Sequence, residues 1–349
     1  MPVSRVRAAL GAGGLAAALA LTSCAPGTPA DPAPAVSGPT FVYLTADPIG
    51  QNGFFTSGKA GIEAVARSFD GKPRTLEATD ESTRRANLEA AVAEAPEVIV
   101  MLGASFAEPA RTVAEQNPQQ RFLLIDTTVE GAPENLYQAT FREHEAAYLL
   151  GVEAARLTST QRIGSVLAED TPLLHKYAQG FTAGAQRVSP DIQVLASPVI
   201  GAEQAPYANP ERGAELASGL ARDGADQVFG VAARSNEGVI EAAKAQGFAA
   251  YGVDENQCPI APGSVVDGTV KSVDTVITTV VGQIMAGKSS SEATASFGLA
   301  EGGMTLVSLT PDAEKSECTI MDHPDVLAEV AQLRDEIVAG TLKIPNPAA

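Results

Sequence analysis

From position 40 onward, short apolar runs alternate with segments of helical spacing. FVYLTA (41–46), VIVMLG (98–103) and RFLLID (121–126) read as buried strands. A weaker strand lies at 74–78, and NLYQATF (135–141) closes the series. Helical spacing fills the gaps at 55–69, 81–93 and 107–116. Short apolar strands alternating with helices predict a parallel sheet covered on both faces. After a break at 141–143, HEAAYLLGVEAARL (144–157) predicts a helix with Leu149, Val152 and Leu157 inward. A second series follows, with strands at 162–168, 192–200, 227–232 and 248–253. Its helices fall at 173–188, 210–223 and 236–246. Asn209 as cap and Pro210 in the first turn mark the start of the middle one. The remainder holds a strand (264–272), a helix (274–286), a Gly/Ser hinge GKSSS (287–291), a strand (304–309) and a closing amphipathic helix (324–339).

Two α/β series of about 100 residues each, followed by a tail too short for a third domain, predict two lobes. The tail is expected to return and complete both. The fold class is therefore α/β: two doubly wound parallel-sheet lobes joined by a three-strand hinge. The first lobe is expected at 40–142 plus 256–295, the second at 143–255 plus 296–349. Ligands bind in such interdomain clefts, and hinge closure is the expected motion.

The first 23 residues read as a leader rather than fold: a basic start with Arg5 and Arg7, then an apolar run (8–21) short for a membrane span. LTSC (21–24) resembles a bacterial lipobox, so Cys24 is the expected lipidation site. Residues 24–39, rich in Pro, Ala and Gly, read as a disordered tether. The expected location is the extracytoplasmic face of the cell membrane, held by lipid. Formal net charge is −18 over 349 residues; without the leader it is 22 basic against 42 acidic side chains, −20. Such a chain repels phosphate backbones, which argues against nucleic acid as a partner. In an exported protein Cys258 and Cys318 are a possible disulfide.

No catalytic set emerges. There is no G-x-S-x-G, no phosphate loop and no glycine fingerprint after a strand. His144, His175 and His323 are far apart; His144 reads as an ordinary helix-start residue. No enzyme activity, metal or cofactor is expected. The chemistry concentrates at GVDENQCPIAPGSVVDGTVKSVD (252–274). Asp254 ends one strand and Lys271 lies on the next, so both could face one small polar ligand. A turn-initiating Asp and a solvated Lys fit the same residues.

Seven segments in order then carry a resemblance: NPQQRFLLIDTT (117–128), FREHEAAYLLGVEAA (141–155), GFTAGAQ (180–186), DGADQVF (223–229), GVDENQ (252–257), VKSVD (270–274) and GTLKIP (340–345). Over 40–345 the chain resembles the basic membrane protein family. These are lipid-anchored substrate-binding proteins of ABC importers with the type I periplasmic-binding fold, typically for nucleosides. The resemblance implies that Asp254 binds ribose hydroxyls, that Lys271 lies near the same sugar, and that Phe54 stacks on the base. It makes Phe181 an aromatic of the second lobe and Asp126 a ligand-facing acid. Two rings from opposite lobes would sandwich a planar base. The loops GQNGFF (50–55) and AARSNEG (232–238) depart from the family pattern, leaving Asn52 as the candidate for base recognition. The expected partners are a nucleoside, with a purine favoured, ABC permease subunits and, through the anchor, the membrane; a monomer is expected. The alternative is a surface sensor or interaction lipoprotein with altered or lost small-molecule specificity.

Overall fold

The structure, a computed structural model, describes residues 38–347. The expected leader, Cys24 and all but the end of the expected tether lie outside the described residues.

Two six-stranded sheets form two lobes. The first runs β1 (Thr40–Thr45), α1 (Gly53–Ser68), β2 (Lys72–Glu77), α2 (Glu81–Ala93), β3 (Val98–Leu102), α3 (Ala107–Gln116), β4 (Phe122–Ile125) and β5 (Leu136–Phe141). The second runs α4 (Glu143–Leu157), β6 (Arg162–Leu167), α5 (Pro172–Val188), β7 (Gln193–Val194), α6 (Pro210–Arg222), β8 (Gln227–Val231), α7 (Asn236–Gln246), β9 (Ala249–Gly252) and β10 (Val265–Lys271). The tail adds α8 (Val273–Met285), β11 (Ser296–Phe297), β12 (Met304–Leu306) and α9 (Pro324–Val338). The sheet orders are β11-β5-β4-β3-β1-β2 and β12-β10-β9-β8-β6-β7. All named pairings are parallel except β12 against β10.

The near-continuous apolar character of β3 and β4 follows from this layering. Every residue of VIVML and FLLI is buried, because helices cover both faces. Helix starts follow local chemistry: Asp80 caps α2 through Thr83 N, and Asn209 caps α6 through Arg212 N at 3.0 Å. Residues Glu143 to Ala155 of α4 are all buried. α4 and α5 touch so closely that a Cβ on Gly151 would meet the Phe181 carbonyl oxygen and stand 2.9 Å from Ala185 N.

The chain crosses between lobes three times: from β5 into α4, from β10 into α8, and from β11 to β12. The crossings are tied together. Arg142 N donates to Phe297 O at 2.9 Å, Leu299 N to Glu145 Oε2 at 2.9 Å, and Ser272 N to Gly303 O at 2.9 Å.

The structure corrects four expectations. The segment 256–295, expected whole in the first lobe, is divided. β10 extends the second sheet beside β9, while α8 packs on α1. β11, expected in the second lobe, pairs with β5 in the first, Phe297 opposite Phe141. The reason is that each open sheet edge takes the nearest returning strand. GKSSS is not a hinge between lobes: it forms the turn after α8, with Tyr137 donating its hydroxyl proton to Lys288 O at 2.6 Å. The long strand expected at 192–200 shrinks to Gln193–Val194 plus a bridge between Leu167 and Val199, since Pro198 has no N–H for a ladder. Among the described residues no helix is long and apolar enough to cross a membrane.

Candidate functional site

Each lobe ends its fourth strand on an aspartate with left-handed backbone. Asp126 follows β4 with φ 73°, and Asp254 follows β9 with φ 67°. Aspartate tolerates this conformation better than most side chains. The turn stops each strand and leaves a carboxylate at its carboxyl end, where open α/β sheets bind ligands.

Lys271, the last residue of β10, reaches between them and is 4% exposed. Its Nζ lies 2.5 Å from Asp126 Oδ1 and 3.2 Å from Glu143 Oε1. The second contact has ion-pair distance without hydrogen-bond geometry. Three rings surround the ammonium: Phe141 at 4.6 Å, Phe54 at 5.3 Å and Tyr177 at 5.9 Å to the centroids. The backbone fixes the pairing, since Lys271 N donates to Asp254 O at 3.0 Å. Asp254 Oδ1 accepts from the Tyr177 hydroxyl at 3.1 Å. Glu143 is fully buried and also receives Lys176 Nζ at 3.2 Å.

Burial alone would lower the Lys271 pKa; the carboxylates of Asp126, Glu143 and Asp254 outweigh it and hold the ammonium above its ordinary value. Burial pushes Asp126 up to about 6, with Lys271 opposing and Glu143 adding to the rise. At neutral pH the Lys271–Asp126 pair is therefore ionised on both sides. Burial also raises Asp254, against the pull of Lys271 and the Tyr177 hydrogen bond.

An interlobe cavity of about 730 Å³ reaches this cluster, lined by Asp254 and Lys271 among others. Its walls come from both lobes: Gly53 and Ser57 of α1 on one side, Glu255, Thr310 and Ser316 on the other. The loop after Asp254 is pinned. A disulfide joins Cys258 and Cys318, with Cα atoms 5.0 Å apart, and Asn256 Nδ2 donates to Ser316 O at 3.1 Å.

Of the residues expected at the site, the structure brings together Asp126, Asp254, Lys271 and Phe54. Asn52 caps α1, its Oδ1 accepting from Phe54 N at 3.1 Å, which leaves the side-chain amide nitrogen for other partners. Phe181 does not reach the cleft. It is fully buried against Phe229 at 5.4 Å and Tyr251 at 5.5 Å. Tyr177, one turn earlier on α5, takes the position facing the cluster. His144 is buried too; burial lowers its pKa, so the ring is neutral at neutral pH. Among the described residues no group of three or more His, Cys, Asp or Glu could hold a metal ion.

Sequence reasoning missed Glu143, Lys176, Tyr177 and Tyr207. Tyr207 sits 41% exposed in the second lobe and donates to Glu169 Oε2 at 2.7 Å. Burial, that hydrogen bond, and the charges of Glu169, Asp126 and Asp254 raise its pKa.

Residues 39–345 match the family model described as ABC transporter substrate-binding protein, PnrA-like. The chain is 30% identical over 224 residues to basic membrane protein A1 of Borrelia garinii subsp. bavariensis, covering 63% of this chain and 65% of that one, just under two thirds of the relative's length. It is 24% identical to the ABC transporter nucleoside-binding protein BmpA of Lactococcus lactis subsp. cremoris, over 87% and 88% of the two chains. Among solved structures, an ABC transporter solute-binding protein from Aeropyrum pernix K1 superposes with TM-score 0.72 at 22% identity, covering 88% and 93%.

Proposed function

Because the chain belongs to the family of PnrA-like ABC transporter substrate-binding proteins, we propose that it captures a nucleoside between its lobes and delivers it to the permease of an importer. No bond is broken; hinge closure follows from tighter binding to the closed form. The observation that carries the reading is the buried group at the crossings. Its formal charges are three carboxylates (Asp126, Glu143, Asp254) against two ammonium groups (Lys176, Lys271), one negative charge in excess. Such a site favours a neutral guest rich in hydroxyl donors. A ribose diol offers two donors to the Asp254 carboxylate, a geometry that carboxylates bind strongly. Phe54 on α1, beside the Lys271 ammonium, supplies a ring for a planar base, with a purine favoured. The nucleoside-binding relative in Lactococcus lactis agrees with this. Cys24 would carry the lipid that holds the protein, as a monomer, on the extracytoplasmic face of the membrane.

A second reading, a sensor or interaction lipoprotein with altered specificity, is favoured by Phe181 lying in the core and by Asn52 being engaged as a cap. Thermal-shift titration with the five common ribonucleosides separates the two. Stabilisation by at least one of them supports transport binding; no shift with any supports the second reading.

A further inference from the structure

We propose that Glu255 is the latch that holds the cleft shut, and that Gly53 is glycine because the latch needs its space. This rests on the reading that the lobes close on a small guest. Glu255 follows the ligand-facing Asp254 in the second lobe, while Gly53 is the first residue of α1 in the first. The two are 202 positions apart, yet Gly53 N donates to Glu255 Oε1 at 3.3 Å. A carboxylate at a helix start also meets the positive end of the helix dipole. The approach is tight. A Cβ placed on Gly53 would stand 2.5 Å from Glu255 Cδ and 2.8 Å from Glu255 Cβ, and would overlap Oε2. Backbone conformation does not demand glycine here, since Gly53 is not among the residues with positive φ.

The latch is coupled to the guest through the chain itself. Asp254 and Glu255 are consecutive, so the residue that meets the guest sets the position of the residue that meets the opposite lobe. The segment behind them is stiff: Glu255 N donates to Val253 O at 2.8 Å, Cys258 N to Asn256 Oδ1 at 3.1 Å, and the Cys258–Cys318 disulfide anchors its end. Burial raises the Glu255 pKa while the Gly53 amide opposes the rise, as for a carboxylate enclosed between two surfaces. Closure then has a contact of its own, made only when the lobes meet.

Three variants of the full chain test this: Gly53→Ala, Glu255→Ala and Glu255→Gln. Alanine is the better helix former, and in the open form its methyl meets nothing from the other lobe. Gly53→Ala should therefore keep or raise the melting temperature of the unliganded protein while weakening guanosine binding, read by calorimetry, by about tenfold or more. Glu255→Ala should lose about tenfold, the loss of one charge-assisted hydrogen bond; Glu255→Gln, which keeps an acceptor, should fall between it and the wild type. The opposite signs for melting temperature and affinity in Gly53→Ala are what a merely structural role would not give. Without any nucleoside, X-ray scattering should show a larger radius of gyration for Gly53→Ala and Glu255→Ala than for the wild type, because the open form gains population. If the wild type fails to bind guanosine, the nucleoside reading is at fault and scattering alone judges the latch. Wild-type radius of gyration in both variants, or wild-type guanosine affinity in Gly53→Ala, would overturn it.

Discussion

Lys271→Met removes the ammonium around which the crossings are arranged. The methionine keeps the length and the contact with Phe141 and Phe54, so the change is one of charge. Asp126 and Glu143 then face each other's charge without the cation at 2.5 and 3.2 Å; Glu143 keeps only Lys176. Even with Lys271 present, burial and the Glu143 charge together lift Asp126 from 3.8 to about 6, a net penalty of about 3 kcal/mol on its charged form that the fold carries at neutral pH. Breaking a buried pair by removing one partner costs about 3–5 kcal/mol, and that is the expected loss in urea denaturation at about pH 7.5. The sign with pH follows from the direction of the shift. The folded pKa of Asp126 lies above its unfolded value, so its contribution is most favourable below about 3.8 and is lost as pH rises through about 6. Lys271→Met raises the folded value further, so the deficit should shrink on acidification towards about pH 5. Asp126→Asn added to Lys271→Met should recover part of the loss at about pH 7.5, because the orphaned charge is gone. A Lys271→Met protein as stable as the wild type, or a double variant no better than the single, would refute the reasoning.

Three further outcomes follow from the same structure. Glu153 on α4 is fully buried, and burial, with the charge of Asp267 adding to it, raises its pKa well above the ordinary value. Its contribution to stability is complete below about 4.5 and is lost as pH rises towards the folded value. Glu153→Gln should flatten that decline in denaturation curves between about pH 5 and 8, and an unchanged decline would count against it. Replacing Cys258 and Cys318 together by Ala opens a loop of sequence separation 60; chain entropy sets the loss at about 4 kcal/mol, and a loss under about 1 kcal/mol in denaturation would show that the loop is held by other contacts. Cys24→Ala should move the protein from the membrane fraction to the soluble fraction on cell fractionation; retention in the membrane would remove the lipid anchor from the account.

Much of the scaffold was legible because its strands are short, apolar and separated by capped helices. The α2, α3 and α7 boundaries follow from spacing, the start of α6 from its Asn209 cap, and the Asp254–Lys271 pair from strand ends. What sequence could not decide was long-range. Nothing local tells whether 265–271 adds to the first sheet or the second; that depends on which edge is open. The choice between Phe181 and Tyr177 is similar. They lie four residues apart on one helical face, so periodicity places both inward, and only the height of α5 against β8 decides which meets the cluster. The burial of Glu143 and Lys176 is likewise fixed by partners distant in sequence. The interlobe contact of Glu255 with Gly53 is of the same kind, created by the meeting of two lobes.

The most direct measurement of the central claim is calorimetry with guanosine and its 2′,3′-dideoxy analogue on the wild type and on Asp254→Ala. The account predicts that Asp254→Ala loses about 2–5 kcal/mol with guanosine, as when one partner of a buried charged hydrogen-bond set is removed, and little with the dideoxy analogue. Equal losses with both, or guanosine binding that ignores the substitution, would contradict it.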